Sequence, residues 1–282
     1  MSDEAQTHGE YLLVRNMAES ERLEMQYKAW QANIGYRLHP VIKQHDRMRI
    51  ADVGTGTGIW LRELATVLPI TCQLDGFDLS DAMFPHKDAL PENITFHHQN
   101  LLEPFPDEYL GEYDVVNVRV MVVALSYDEW EPAVRNLMTL LKPGGHLQWV
   151  DCAAHECIIK GEPEGKRATN ARYGFDLFRR TLISLGKTPN IAALHGIFQK
   201  SGLESCEERI YNLDNPDVRE DLNLTVVGGI QHVLITALKM HKLDEIQSMQ
   251  QITALREAML SDLHSLGCYY CFDVFVVVGR KA

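Results

Sequence analysis

The segment Asp52-Val53-Gly54-Thr55-Gly56-Thr57-Gly58 decides how this 282-residue chain folds, because it joins a short apolar strand to a helix. The strand is predicted over 49–53, and the helix over 59–68, where apolar residues recur with a helical period. Glycines adopt positive φ angles and let a ligand approach the backbone closely. Free N–H groups at the start of a helix favour a polar or anionic partner. The segment therefore predicts a ligand-binding loop in an α/β fold.

Strands and helices alternate after this loop. Strands are predicted at 73–79, 94–96, 113–118 and 146–152. A short helix is predicted from Ser80, and another over 129–141, where Lys142-Pro-Gly-Gly145 ends it. Such alternation is typical of βαβ units. We therefore predict an α/β fold with a mostly parallel sheet and helices on both faces.

Three regions lie outside this minimal core. Residues 1–47 are polar with helical spacing and are predicted to form an N-terminal helical arm or lid, which leaves 48–282 as the main domain. Residues 155–190 are mixed, with a helix around 175–185. A helical insertion at about 216–266 separates a strand at 204–211 from the last strand at 269–279. We expect these extra regions to select the substrate.

The charge balance restricts the class of partner. The chain carries 27 basic and 39 acidic side chains, a net charge of −12. Such a protein is poorly suited to a phosphate backbone or an anionic membrane, so we expect neither nucleic acid nor membrane partners. No run of about 18 uninterrupted apolar residues exists, and the first residues are acidic rather than typical of a targeting signal. A cytoplasmic protein is expected.

The six cysteines predict no metal site. Only Cys268 and Cys271 have the spacing of a ligand pair, and no second pair accompanies them. The pair also runs into the β-rich stretch 272–278 rather than into a helix, which argues against a redox motif. We expect free thiols and no bound metal.

Acidic residues at two strand ends indicate the ligand. The three glycines of the loop are spaced one residue too closely for the dinucleotide fingerprint, and the Gly-Lys-Ser/Thr ending of a phosphate loop is absent. Asp52 precedes the loop, where a carboxylate suits an ammonium group better than a pyrophosphate. Asp78, at the end of the second strand, can accept both hydroxyls of a ribose. A polar residue near 97–100 could contact an adenine edge. Together these features describe S-adenosylmethionine (SAM).

These motifs resemble those of the class I, Rossmann-like SAM-dependent methyltransferases, most strongly over residues 48–152. The match comprises Asp52–Gly58, Asp78 and the Leu141-Lys-Pro-Gly-Gly145 turn. Residues 11–13 and 19–26 are similar to the amino-terminal arm of the fungal LaeA-like and UMTA-type secondary-metabolism methyltransferases. The resemblance implies a seven-stranded sheet with an antiparallel last strand. Asn100 departs from the family, which usually has an acidic residue at the third strand.

The resemblance and the loop together define a predicted cofactor site. Its members come from the amino-terminal arm and from the ends of the first four strands. They are Tyr11, Gln26, Asp52, Gly54, Thr55, Gly56, Gly58, Asp78, Leu79, Asn100, Leu101 and Arg119.

Methyl transfer from a sulfonium needs in-line approach of a nucleophile in a site that excludes water. Some acceptors also need a base to remove a proton. The candidates are Asp151 and His155 at the fifth strand and His195 and His232 in the extra helices. The aromatic candidates for the acceptor pocket are Trp30, Tyr173, Phe175 and Phe178, whereas Trp60 and Trp149 are predicted to be core. The apolar stretch 226–238 is either a lid or a dimer contact.

Our leading hypothesis is a SAM-dependent methyltransferase that acts on an O, N or S atom of a small, fairly apolar molecule, with a secondary metabolite as the expected class of acceptor. Two alternatives stay open at this point. The chain could be a regulatory protein that keeps the SAM fold and acts through a protein partner, or a SAM-binding enzyme of non-methyl chemistry such as ring closure or dehydration. A homodimer through the N-terminal helices or the insertion is also possible.

Overall fold

The computed structural model describes residues 17–187 and 190–282. The central parallel strands are buried along most of their length, as strands covered on both faces are. The strands within the described residues are β1 (Arg49–Val53), β2 (Gln73–Asp78), β3 (Ile94–His98), β4 (Tyr113–Arg119), β5 (Leu141–Cys152), β6 (Ile158–Lys160), β7 (Glu204–Asn212), β8 (Tyr269–Cys271) and β9 (Asp273–Arg280).

Seven of these strands form one twisted sheet in the order β3-β2-β1-β4-β5-β9-β7. Pairing is parallel from β3 through to β5, and β9 is antiparallel to both of its neighbours. The strand order reverses between β1 and β4, so the crevice at their carboxyl ends is the expected ligand site of such a sheet. The predicted fold class, including the antiparallel last strand, is confirmed.

The helices within the described residues cover both faces of the sheet. They are α1 (Met17–Ile34), α2 (Ile59–Ala65), α3 (Trp130–Leu140), α4 (Thr169–Ser184), α5 (Leu194–Ser201), α6 (Arg219–Lys239) and α7 (Met249–Leu266). The predicted helical arm and helical insertion therefore exist as α1 and as the pair α6 and α7. The domain division at residue 47 stays a prediction.

Helix α6 is the centre of the insertion and packs against α1, α4 and α7. Its apolar side chains are buried together with Trp30 of α1 and Leu177 of α4 in one cluster. With the preceding turn, Pro216–Lys239 is long and apolar enough to cross a membrane by length and composition alone. A core helix of a folded protein meets the same criteria, and α6 packs against three other helices.

Two local predictions were wrong. No helix starts at Ser80, because the Asp78 carboxylate accepts from the Ser80 N–H and the Ser80 hydroxyl accepts from the Ala82 N–H. Such side-chain bonds compete with helical ones. The predicted strand at 269–279 is divided at Phe272 into β8, which pairs with β6, and β9, which pairs with β5 and β7.

Candidate active site

Asp52 lies at the carboxyl end of β1 and is almost completely buried. Its carboxylate accepts hydrogen bonds from the Thr55 hydroxyl at 2.8 Å and from the Asn117 side-chain amide at 2.7 Å. Burial raises the pKa of Asp52 to about 6, although both hydrogen bonds and the nearby Arg119 favour the charged form. The loop therefore begins at a carboxylate whose protonation state depends on the hydrogen bonds that it accepts.

Asp78 closes the glycine loop from the neighbouring strand. Its carboxylate accepts from the Gly56 N–H at 2.9 Å and from the Ser80 N–H at 3.1 Å. Gly56 has φ 56°, and the nearest atoms to a Cβ built on it are side-chain carbons of Leu23 and Met83, 3.8 and 3.9 Å away. The backbone at Gly56 is thus open to close approach by a ligand, with α1 beside it.

Arg119 ends β4 beside this loop. Its guanidinium lies over the Tyr27 ring, 4.6 Å from the ring centroid. Burial lowers the pKa of Arg119, and the charges of the Asp52 and Asp151 carboxylates oppose that shift. A narrow cavity lies between Arg119, Tyr27 and Trp30. The Tyr27 hydroxyl and the Trp30 indole nitrogen are buried there without a hydrogen-bond partner among the described residues.

A second cavity, of about 90 Å³, opens between the ends of β4 and β5 and helices α1, α4 and α6. Its wall is mostly apolar, with Val120, Val122, Phe175, Phe178, Val226, Ile230 and Phe272 as main members. Among the residues that the structure describes, Arg22, Gln26 and Thr225 are the lining residues with polar side-chain groups other than thiols. We call this space the acceptor cavity. Phe175 and Phe178, candidates from the sequence, line it, whereas Tyr173 is exposed.

A buried charged cluster supports the polar edge of the acceptor cavity. Both oxygens of the Glu19 carboxylate accept from Arg22 at 2.7 Å, and the Nδ1 atom of His232 lies 2.6 Å from one of them. Arg22 Nη1 also reaches the Gln26 side-chain oxygen and the Thr225 carbonyl, both at 3.4 Å. The cluster joins α1 to α6, and Arg22 is also one of the residues that line the cavity.

Asp151 was predicted as a base; the structure places its carboxylate among hydrogen-bond donors of the chain itself, and its role as a base stays a prediction. Asp151 is fully buried, and its carboxylate accepts from the main-chain N–H groups of Met121 at 2.7 Å and Cys152 at 2.9 Å and from the Trp149 indole at 3.1 Å. Burial raises the pKa of Asp151 to about 6. Val120, just before Met121, has φ 56°, a strained value for a β-branched residue. Asp151 therefore stabilises the strained turn that borders the acceptor cavity.

The predicted histidine bases are scattered. His155 is about one-third exposed and lies beside Glu156 at 3.4 Å, outside the lining of the acceptor cavity. His195 contacts the Cys206 carbonyl on β7. His232 lies next to the cavity and is paired with Glu19. The structure therefore brings only His232 near the candidate site, and its role as a base stays a prediction.

Five other residues were predicted to bind the cofactor, and the structure describes four of them. Gln26 lines the acceptor cavity rather than the glycine loop. Asn100 forms a local turn, in which its side chain accepts from the Leu102 N–H and donates to Glu103. Leu79 is exposed at the end of β2, whereas Leu101 is packed in the core. Tyr11 lies outside the described residues.

Sequence reasoning missed the partners that hold these groups. Asn117 and Gln148 form a buried hydrogen-bond chain to Asp52, and Glu19 and Arg22 form the cluster on α1. For Asn117 and Gln148 the sequence signal was polarity at positions where a core strand should be apolar. Glu19 and Arg22 lie within the segment 19–26 that carried the family resemblance, which did not reveal their partners. No group of three or more potential metal ligands occurs in residues 17–187 and 190–282.

The chain belongs to the methyltransferase-domain family, whose sequence profile matches residues 23–208. It is similar to the methyltransferase grgD of Penicillium sp., with 31% identity over the whole of both chains. It is also similar to the N-methyltransferase tcpN of Claviceps purpurea, with 32% identity over 95% of each chain. The chain is thus a SAM-dependent methyltransferase, as the resemblance in its motifs implied, and the regulatory and non-methyl alternatives are disfavoured.

A solved structure shows the same fold. The phosphoethanolamine N-methyltransferase 2 of Haemonchus contortus, in complex with S-adenosyl-L-methionine, superposes with a TM-score of 0.53 at 17% identity. The match covers 90% of this chain and 53% of that enzyme, so the chain spans about half of its length.

Proposed function

We propose that this enzyme transfers the methyl group of SAM to a neutral nitrogen of a small, mostly apolar acceptor bound in the acceptor cavity. The observation that carries this proposal is the contact of one helix with both candidate sites. Leu23 of α1 lies beside Gly56 of the loop, and its neighbours Arg22 and Gln26 line the acceptor cavity. Cofactor and acceptor would therefore meet under α1, next to the strained turn at Val120.

The residues of the loop fit the chemical groups of SAM. Carboxylate oxygens accept more than one hydrogen bond each, so Asp78 can receive the ribose hydroxyls while it keeps the Gly56 N–H. Asp52 would face the ammonium group. The unpartnered Tyr27 hydroxyl and Trp30 indole N–H, with the Arg119 guanidinium, are donors that suit a carboxylate. SAM supplies a methyl group on a positively charged sulfur, which is already a good leaving group.

The acceptor cavity favours a nucleophile that needs no base. Within the described residues its lining contains no Asp, Glu or His, so a phenol or acid would find no partner for its proton there. A neutral amine or ring nitrogen presents its lone pair without prior deprotonation. The Arg22 guanidinium repels a cationic amine and can donate to a carbonyl on the acceptor. The similarity to the N-methyltransferase tcpN supports the same choice.

Calorimetric titration with SAM and with S-adenosylhomocysteine tests the cofactor site. We expect micromolar or tighter binding of both, and a loss of about 1–3 kcal/mol, or about 5- to 150-fold, in Asp78→Ala. The matched control is Asp88→Ala on the same segment, whose side chain is 90% exposed and which should bind normally. Unchanged affinity in Asp78→Ala would remove Asp78 from the ribose site.

Acceptor chemistry is tested with SAM and pairs of neutral aryl amines and the matching phenols, by mass spectrometry for a gain of one methyl group. We expect product from amines, with a rate that is level between about pH 7 and 8 because no base must ionise. Preferential methylation of phenols, rising with pH, would refute the nitrogen assignment while leaving the cofactor site intact. Cytoplasmic location and a homodimer stay predictions.

A further inference from the structure

A chain of buried amides crosses the sheet from the segment after α1 to Asp52. The main-chain N–H of His39 donates to Gln148 Oε1 at 2.7 Å. Gln148 Nε2 donates to Asn117 Oδ1 at 2.8 Å, and Asn117 Nδ2 donates to Asp52 Oδ1 at 2.7 Å. Parallel pairing aligns the three side chains, because Asp52 is opposite Asn117 and Asn117 is opposite Gln148.

The direction of this chain is fixed by its main-chain end. A backbone N–H can only donate, so the atom of Gln148 that faces His39 must be the oxygen. Gln148 Nε2 also donates to the Arg37 carbonyl at 3.0 Å, which can only accept. Two backbone groups thus prevent Gln148 from flipping. With Gln148 fixed, Asn117 must turn its oxygen towards Gln148 and its NH₂ towards Asp52.

We propose that Gln148 is a positioning residue that orients Asn117 as a hydrogen-bond donor to Asp52. Because the segment after α1 holds Gln148, that segment must be docked for Asp52 at the cofactor loop to stay charged and correctly oriented. This inference rests on the proposed role of Asp52 towards the ammonium group. All three side chains are at most 3% exposed, so water cannot replace a missing donor. Without Gln148, Asn117 is free to present its oxygen to Asp52, and that arrangement favours the protonated acid.

Loss of Gln148 should therefore change how the affinity for the cofactor depends on pH, rather than lower that affinity equally at every pH. Asp52 has a pKa of about 6, set by burial and opposed by Asn117, Thr55 and Arg119, while Asp78 raises it. Loss of a donor to the charged form raises the pKa further. Burial lowers the pKa of Arg119, but an arginine side chain keeps its charge in proteins. Burial also lowers the pKa of His39, at the other end of the amide chain.

The test is titration of the full chain with S-adenosylhomocysteine between pH 5.5 and 8.5 for wild type, Gln148→Met and Gln148→Leu. We expect the wild-type affinity to fall below about pH 6 and the midpoint of this fall to rise by about one pH unit in both variants, a loss of up to about tenfold on the acid side. At pH 8.5 the variants should approach wild type. Two apolar variants of different shape guard against a folding defect in one of them.

Thr181→Val serves as the matched control, since it removes a different buried hydrogen bond, from Thr181 to the Leu177 carbonyl in α4. It should leave the midpoint unmoved. An equal loss at every pH in the Gln148 variants, or an unshifted midpoint, would overturn the inference. Asp52→Asn distinguishes a failure of the proposed ammonium site from a failure of the coupling through Gln148. If it binds normally, the proposed ammonium site is wrong; if it loses binding while Gln148→Met keeps the wild-type midpoint, only the coupling is wrong.

Discussion

The buried Glu19 carboxylate is the interaction that we expect to hold α1 over the site, and it can be tested by a substitution that changes only its charge. Glu19→Gln keeps the shape of the side chain but removes the carboxylate that binds Arg22 and His232. Glu24→Gln is the matched control on the same helix. Glu24 pairs with Arg62 at 2.7 Å, and both of these side chains are about one-third exposed, whereas the Glu19 side chain is 1% exposed.

The expected cost follows from this difference in burial. Removing one partner of a buried ion pair costs about 3–5 kcal/mol, because the other charge stays buried without compensation. A glutamine can still accept one hydrogen bond from Arg22, so we expect about 3 kcal/mol for Glu19→Gln. An exposed pair contributes about 0.2–1 kcal/mol, so Glu24→Gln should cost less than about 1 kcal/mol.

Urea unfolding at pH 7 measures both free energies of unfolding. Burial by itself would raise the pKa of Glu19, but the bonds from Arg22 and His232 outweigh it and lower the pKa below the ordinary 4.5. The contribution of Glu19 is therefore present above pH 4.5 and lost as the pH falls below it. The difference between wild type and Glu19→Gln should shrink in acid. Equal costs for the two variants at pH 7 would refute the reasoning.

Three further outcomes are expected. Gly58→Ala should lower the temperature of thermal unfolding more than Gly165→Ala. Both glycines have φ near 70°, which alone costs an alanine about 1–2 kcal/mol. A Cβ on Gly58 would also lie 2.2 Å from the Phe96 ring, whereas a Cβ on Gly165 meets nothing within 4 Å. Val226→Phe should fill part of the acceptor cavity and lower methyl transfer at least about tenfold, with unchanged S-adenosylhomocysteine affinity in calorimetry as the sign that the cofactor site is intact. Because Asp52 titrates near pH 6, S-adenosylhomocysteine should raise the melting temperature more at pH 7 than at pH 5; an equal shift at both would contradict the ammonium role.

The sequence by itself determined the features that depend on neighbouring residues. The run of glycines after an apolar strand, the acidic residue at the end of the next strand and the alternation of periods 2 and 3.6 are local patterns. They were enough to predict the mostly parallel α/β sheet, the loop from Asp52 to Gly58 and the class of cofactor, whereas the number of strands came from the family resemblance.

Only the tertiary structure decided which side chains meet across long separations. Asp151 was a plausible base by position in the sequence, yet its carboxylate is buried and accepts from the backbone of the strained turn. Gln26 was assigned to the cofactor, yet the packing of α1 on α6 brings it to the acceptor cavity. The contacts of Asn117 with Gln148 depend on strand register and those of Glu19 with His232 on helix packing. Neither leaves a pattern along the chain, because both are set by burial of the whole core.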